Sequence, residues 1–155
     1  MKSNLEKTTV RDISRLINVS CLTADSSTSL EQLAEMLCAS DRYKVYLKDK
    51  NGHLCGLIQA KQIALELLRL SKNEADADEM LPAQAYMLNA RQGIELAEDA
   101  PAVFLDTKLG AVLDMMEQNN IREIAVIGED EQLIGTLEAK HILSHYLHDK
   151  AAAAL

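Results

Sequence analysis

The strongest constraint on the fold of this chain is that it nearly repeats itself. A shift of 79 positions, the separation of Thr28 from Thr107, also lays Leu30 on Leu109, Met36 on Met115, Leu54 on Leu133 and Gly56 on Gly135 without a gap. Ala60, Lys61, Ile63 and Leu68 fall in the same register on Ala139, Lys140, Ile142 and Leu147. The shared pattern is plainest in CGLIQAKQI (55–63) and IGTLEAKHI (134–142). Apolar periodicity agrees on both sides of the shift, so the chain reads as two copies of one supersecondary unit.

Each copy can be read element by element. Thr28-Ser29-Leu30-Glu31 has capping-box spacing, and Leu30, Leu33, Ala34, Leu37 and Cys38 recur on one helical face, which predicts an amphipathic helix ending near Ser40. Tyr43 to Leu47 is β-prone, Asn51-Gly52 signals a tight hairpin, Leu54 to Ile58 resumes the strand, and a second helix is expected from Ala60 to Leu70. The second copy has PAVFL (101–105) as its first strand and Thr107 as helix cap. IREIAVI (121–127) and QLIGTL (132–137) form its hairpin about an acidic turn, and its last helix runs to about His148.

The expected fold class is therefore α/β (α+β), two pseudo-twofold-related β-α-β-β-α units packed as one module, because three short strands and two helices bury too little core alone. Unit one is expected over 8–72, an acidic linker closed by Pro82 over 73–82, unit two over 83–149 and a frayed tail over 150–155. Thr8 to Ser20 and Ala83 to Asp99 are expected as lead-ins to their own units. Equivalent clefts should lie between the strand ends and the start of each last helix.

Composition excludes several function classes. A formal charge of −8, one Phe and no Trp leave neither a basic field nor stacking aromatics, so nucleic acid is not an expected partner. MKSNLEKTTVRD has no apolar segment behind its lysine and no long apolar run occurs, so a soluble cytoplasmic protein without membrane insertion is expected. Cys21, Cys38 and Cys55 lack CxxC spacing and read as small buried apolar side chains. Met36, Met115 and Met116 sit at core spacing. His141, His145 and His148 share one side of the last helix, with Ile142, Leu143, Tyr146 and Leu147 on the other, which predicts a solvated histidine face and no metal site. No nucleophile and base share a motif and no phosphate-binding glycine loop occurs, so catalysis is not expected.

The order of these elements resembles the CBS domain pair (named for cystathionine β-synthase), or Bateman module, over almost the whole chain. TSLEQLAEML and TKLGAVLDMM resemble the family's first helix, YKVYLKDKNGHLCGLI and IREIAVIGEDEQLIGTL its hairpin, and QAKQI and EAKHI the start of its last helix. The resemblance implies a regulatory, non-catalytic module that dimerises through its helices. It also implies a ligand of the adenosyl class, AMP, ADP, ATP or S-adenosylmethionine, in the clefts. In the family a Ser/Thr and an Asp of the last motif hold ribose and phosphate; the corresponding residues here are Gln59 and Gln62 in unit one and Glu138 and His141 in unit two. The family's hairpin proline is replaced by Tyr46 and Ala125.

Charge separates the two copies. Residues 41–61 carry Arg42, Lys44, Lys48, Lys50 and Lys61 against Asp41 and Asp49, a net of +3, whereas residues 120–140 carry a net of −3. An anionic ligand is therefore expected at the first cleft, with Tyr43, Lys44, Gln59 and Gln62 as its binding residues, and the second is expected to be vestigial for nucleotides. The resemblance implies an effector on a separate partner or in a larger protein, such as an ion channel or transporter. The alternative is a dimerisation scaffold that binds no ligand, favoured by the missing aspartates.

Overall fold

The structure is a computed structural model and describes residues 4–72 and 90–153. The acidic linker expected over 73–82, and the first part of the second lead-in, lie outside the described residues. The chain contains α1 (Asn4–Lys7), a 3₁₀ segment (Arg11–Leu16), β1 (Thr23–Asp25), α2 (Leu30–Cys38), β2 (Lys44–Lys48), β3 (Leu54–Gln59) and α3 (Ala60–Lys72). A 3₁₀ turn (Gly93–Glu95), β4 (Ala102–Phe104), α4 (Leu109–Asn119), β5 (Glu123–Ile127), β6 (Leu133–Glu138) and α5 (Ala139–Ala153) follow. Two three-stranded sheets result, ordered β1-β2-β3 and β4-β5-β6, each with a parallel first pair and an antiparallel hairpin. The repeat is thus a repeat of fold: Lys44 pairs with Gln59 as Glu123 pairs with Glu138, and both hairpins shift register near their turns.

The lead-ins depart from the expected division. The compact units are residues 21–100, and residues 1–20 together with 101–155. Residues 8–20 join the second sheet: Val10 N donates to Thr107 O (2.9 Å), Arg11 N to Leu105 O (2.8 Å), and Asn18 and Thr136 exchange backbone hydrogen bonds (2.8 and 3.0 Å). Residues 91–98 join the first: Leu30 N donates to Arg91 O (3.0 Å), Gly93 N to Thr28 O (2.7 Å), and Leu57 and Glu98 exchange bonds of 2.9 Å. Each lead-in therefore serves the sheet of the other copy. It lies along the outer edge of β3 or β6, whose N–H and C=O groups need partners.

That edge contact explains the repeated glycine. A Cβ on Gly135 would fall well inside the van der Waals contact distance of Asn18 O and 2.9 Å from Asn18 C. A Cβ on Gly56 would meet Glu98 O at 3.1 Å and Ala97 Cβ at 3.2 Å.

Each unit has its own core. In the first, Leu30, Leu33 and Leu37 of α2 pack on Val45, Leu47, Ile58 and Ile63. In the second, Val10, Ile13 and Ile17 of the lead-in join Val112, Met116, Ile124, Val126 and Leu137. Burying each such side chain stabilises by about 1.5–3 kcal/mol. Met36 and Met115 lie partly buried against these cores. The cysteines differ from expectation: Cys38 and Cys55 are exposed and only Cys21 is partly covered. Cys38 ends α2, beyond the last residue of its apolar stripe that reaches the sheet.

Caps and turns were half legible. The capping box of α2 is Ser29 with Gln32, one residue later than the expected Thr28 with Glu31. Thr107 does not cap α4; its Oγ1 accepts the Phe104 N–H at 3.0 Å, and Lys108 stands at the cap without a side-chain bond. α4 closes instead at its far end: Asn120 is left-handed (φ 52°), and Ile121 N reaches Met116 O at 2.9 Å, a Schellman closure. The first hairpin turns at Gly52 (φ 84°), with Asp49 Oδ1 accepting from Asn51 N and His53 N. Those bonds, the His53 amide first, hold the Asp49 carboxyl below the usual range. The tail expected to fray from 150 continues α5 to Ala153.

One polar anchor was invisible in the sequence. Glu66 on α3 is buried and bonds both Arg69, one turn on, and Arg91 of the crossing lead-in. The Arg69 hydrogen bond, with both arginine charges, keeps its carboxyl below its ordinary range despite the opposing cost of burial.

Two outcomes are expected in urea unfolding. Gly135→Ala lowers stability by about 1–3 kcal/mol, and Gly56→Ala costs less because its neighbours need give only tenths of an ångström; equal costs would contradict the edge contact. Glu66→Gln lowers stability at pH 7 by about 1–3 kcal/mol, by leaving Arg91 without its carboxylate. Because the folded carboxyl is depressed, its contribution is present above the unfolded value and is lost as pH falls through the folded one. The gap between wild type and Glu66→Gln should therefore close toward pH 3, and a gap independent of pH would refute the pairing.

Candidate ligand corner

The strand-to-helix corner of each unit positions the residues singled out in the sequence. In the unit of residues 21–100, β2 begins at Lys44, β3 ends at Gln59 and α3 starts at Ala60, whose N–H donates to Tyr43 O at 2.8 Å. Lys44 lies opposite Gln59 in the ladder. Tyr43, Lys44, Gln59 and Gln62 are thus brought together. The Lys44 ammonium sits 5.6 Å from the ring centroids of both Tyr43 and Tyr46, within cation–π range. Tyr46 is buried and Tyr43 is 43% exposed, so one ring fixes the lysine and the other faces solvent. No acidic residue occupies the first turn of α3, so the positive end of its dipole is uncompensated from within.

Gln62 is already engaged. Its Oε1 accepts the Gln59 N–H at 2.7 Å and its Nε2 donates to Leu96 O at 3.1 Å. It stands at the third position of α3 and caps the strand end while tying down the lead-in, half of a capping box with a second anchor. Leu96 acts through its backbone carbonyl, so no side-chain signal announced it.

In the other unit the same corner carries opposite chemistry. Ala139 N donates to Arg122 O at 2.9 Å, and Glu123 lies opposite Glu138, two carboxylates where the first corner has lysine and glutamine. Glu138 N donates to His141 Nδ1 at 3.2 Å, the counterpart of the Gln59–Gln62 bond. The Glu138 carboxylate is 3.5 Å from Lys140 Nζ and 3.7 Å from His141 Nε2. An anion would meet repulsion here. Glu123 could have been found by carrying Lys44 across the repeat.

α5 is turned differently from its sequence reading. His141 and His145 face inward and only His148 of the three is exposed, with His145 Nε2 3.5 Å from Asp149 Oδ2. Ile142 enters the core, but Leu143, Tyr146 and Leu147 are 57%, 46% and 55% exposed. Leu143 and Tyr146, with Leu5 and Leu113, border an open apolar groove of about 560 Å³. A smaller cavity of about 330 Å³ lies at the turn end of the β5–β6 hairpin, where Arg11 bonds Asp106 (3.2 Å) and Glu129 (2.7 Å) beside Phe104. Among the described residues no three His, Cys, Asp or Glu side chains gather as metal ligands, and no helix is long and apolar enough to cross a membrane.

Comparison with known proteins finds relatives of this geometry. Residues 94–148 match the family model of the CBS domain. An uncharacterized 33.4 kDa protein in a ribosomal RNA operon of Thermofilum pendens is 25% identical over 120 residues, 75% of this chain and 40% of that protein's length. Among solved structures, a CBS domain-containing protein of unknown function from Bacillus anthracis superposes with a TM-score of 0.67 at 19% identity, covering 94% of this chain and 96% of that one. The CBS domain of a bacterial CNNM/CorC family Mg²⁺ transporter in complex with ATP has a TM-score of 0.66 at 16% identity, covering 93% and 90%. Hypoxic Response Protein I with two coordinated zinc ions has a TM-score of 0.65 at 21% identity, covering 89% and 98%. At these identities the solved structures speak to the fold.

Proposed function

With residues 94–148 matching the CBS domain and almost the whole chain sharing the fold of CBS-domain structures, we propose that it is a regulatory module whose first corner binds an adenine nucleotide or adenosyl compound and whose bound state controls a partner protein or a fused transporter. The observation that carries this reading is the Lys44 ammonium held against Tyr43 beside Gln59 and the start of α3. A half-exposed aromatic ring offers a stacking face, and an ammonium at a helix N-terminus offers a phosphate its charge and donors. The ATP complex of the transporter domain with the same fold supports the ligand class. The second corner, with Glu123 and Glu138, takes no nucleotide in this reading. Gln62, bound to both Gln59 and Leu96, is how occupancy would reach the lead-in: a ligand competing for its amide shifts the population of the strap over β3.

A second reading, as a homodimeric interaction scaffold, is favoured by α5. Leu143, Tyr146 and Leu147 form an exposed apolar face beside a groove, and such a face marks an interaction surface. The two readings are compatible, since α5 and the first corner belong to different units.

Calorimetry with AMP, ADP, ATP and S-adenosylmethionine tests the first reading. One of them should bind, with about 2.7 kcal/mol of added stability at a hundredfold excess over Kd. Lys44→Ala should weaken it at least tenfold while Glu138→Gln leaves it unchanged; silence with all four ligands would sink the proposal. Sedimentation velocity tests the second: the wild type should be a dimer that Leu143→Asp or Tyr146→Asp converts to monomer, and a monomeric wild type refutes it.

A further inference from the structure

The two corners use the same bond with different chemistry. The strand-end N–H of Gln59 is accepted by a glutamine oxygen, and that of Glu138 by an imidazole nitrogen. A glutamine carbonyl accepts a hydrogen bond at any ordinary pH. A histidine Nδ1 accepts only while it carries no proton, because both ring nitrogens of an imidazolium are donors. Histidine is also the side chain that changes charge between pH 5 and 8. From this we infer that the β6–α5 corner is a proton-operated catch, whereas its twin at β3–α3 is insensitive to acid.

The geometry specifies both states. In the neutral state the proton sits on Nε2 and Nδ1 accepts from Glu138 N at 3.2 Å. Proton uptake puts an N–H against the Glu138 N–H, two donors facing each other, so the bond is lost. The ring has somewhere to go: the carboxylate of Glu138 lies 3.7 Å from Nε2 and can take the imidazolium as a charge-assisted partner, displacing Lys140 at 3.5 Å. A cation in the first turn also meets the unfavourable end of the helix dipole, a second reason for the ring to leave the cap. The charged and titratable groups of this corner are Glu138 and Lys140, with Glu123 opposite Glu138 on β5 and Arg122 just before it; one turn along α5 stands His145, 3.5 Å from Asp149 and within electrostatic reach of Asp12 on the 3₁₀ segment. What is released is the outer N–H at the end of an edge strand, so acid would loosen one repeat of the module and leave the other intact.

This inference does not depend on ligand binding, and it is tested on the whole chain without ligand. Amide hydrogen exchange is read by NMR as protection factors, corrected for the intrinsic effect of pH. Between pH 8 and pH 5 the protection of the Glu138 amide should fall at least tenfold relative to two references. One is the Ala139 amide, which is bonded to the Arg122 carbonyl in the same corner; the other is the Gln59 amide in the twin. His141→Gln should remove the fall by installing the acid-insensitive cap. A ratio that changes by less than tenfold, or a His141→Gln protein that shows the same fall, overturns the inference. A second readout does not need the variant to fold: nitrogen shifts of the His141 ring at pH 8 should report the Nε2–H tautomer, and the Nδ1–H tautomer would overturn it equally.

Discussion

The N–H and C=O groups on the outer edges of β3 and β6 must be satisfied, and most of the distinctive features of this protein follow from how that is done. A three-stranded sheet leaves its last strand with an unpaired side, which is costly if covered without partners and hazardous if left bare. Here the middle of the edge is bonded to a lead-in, at Leu57 with Glu98 and at Thr136 with Asn18. The end of the edge is closed by the third residue of the following helix, Gln62 or His141. For a lead-in to approach that closely the strand must lack a side chain beside the bridge, which is why glycine recurs at 56 and 135. The same approach puts Leu96 O within reach of Gln62, so the edge and the candidate ligand corner form one hydrogen-bonded assembly.

Side-chain pattern revealed the repeated unit, and backbone bonding decided what the pattern left open. The strands and helices were legible because Leu30, Leu33, Leu37, Val45, Leu47 and Ile58 alternate or recur with the period of the element that buries them. The exchange of lead-ins was not, because the bonds of Asn18 and Glu98 are made by main-chain atoms that any residue carries. The cap of α2 slipped by one for a related reason. Thr28 and Ser29 are equally able to cap, and the choice falls to Ser29 because the Thr28 carbonyl is taken by Gly93.

α5 shows where amphipathic reasoning misleads. A helix with apolar residues on one side and histidines on the other is ordinarily assumed to turn its apolar side to the core. That assumption holds for a helix with a single neighbour to satisfy. Ile142 meets the core, but His141 is drawn inward by the Glu138 N–H it must accept, and once the first turn is fixed the positions of Leu143, Tyr146 and Leu147 are fixed with it. A capping bond at the start of the helix thereby sets which face is left for a partner at its end.

The candidate site was legible in charge and not in bonding. Lys44 against Glu123 and Gln59 against Glu138 are readable once the repeat is aligned, and they alone separate a corner suited to anions from one that repels them. What the letters concealed is that Gln62 and His141 do not stand open for a ligand but hold the fold together. A side chain that must be displaced for a ligand to bind weakens affinity, yet it also makes binding felt elsewhere. If Gln62 only lined a pocket, occupancy would change nothing beyond the pocket. Because it joins the strand end to the lead-in, any ligand that takes its amide must also loosen the strap at Leu96. The glutamine at position 62 is therefore what gives this corner a mechanical connection to the rest of its unit.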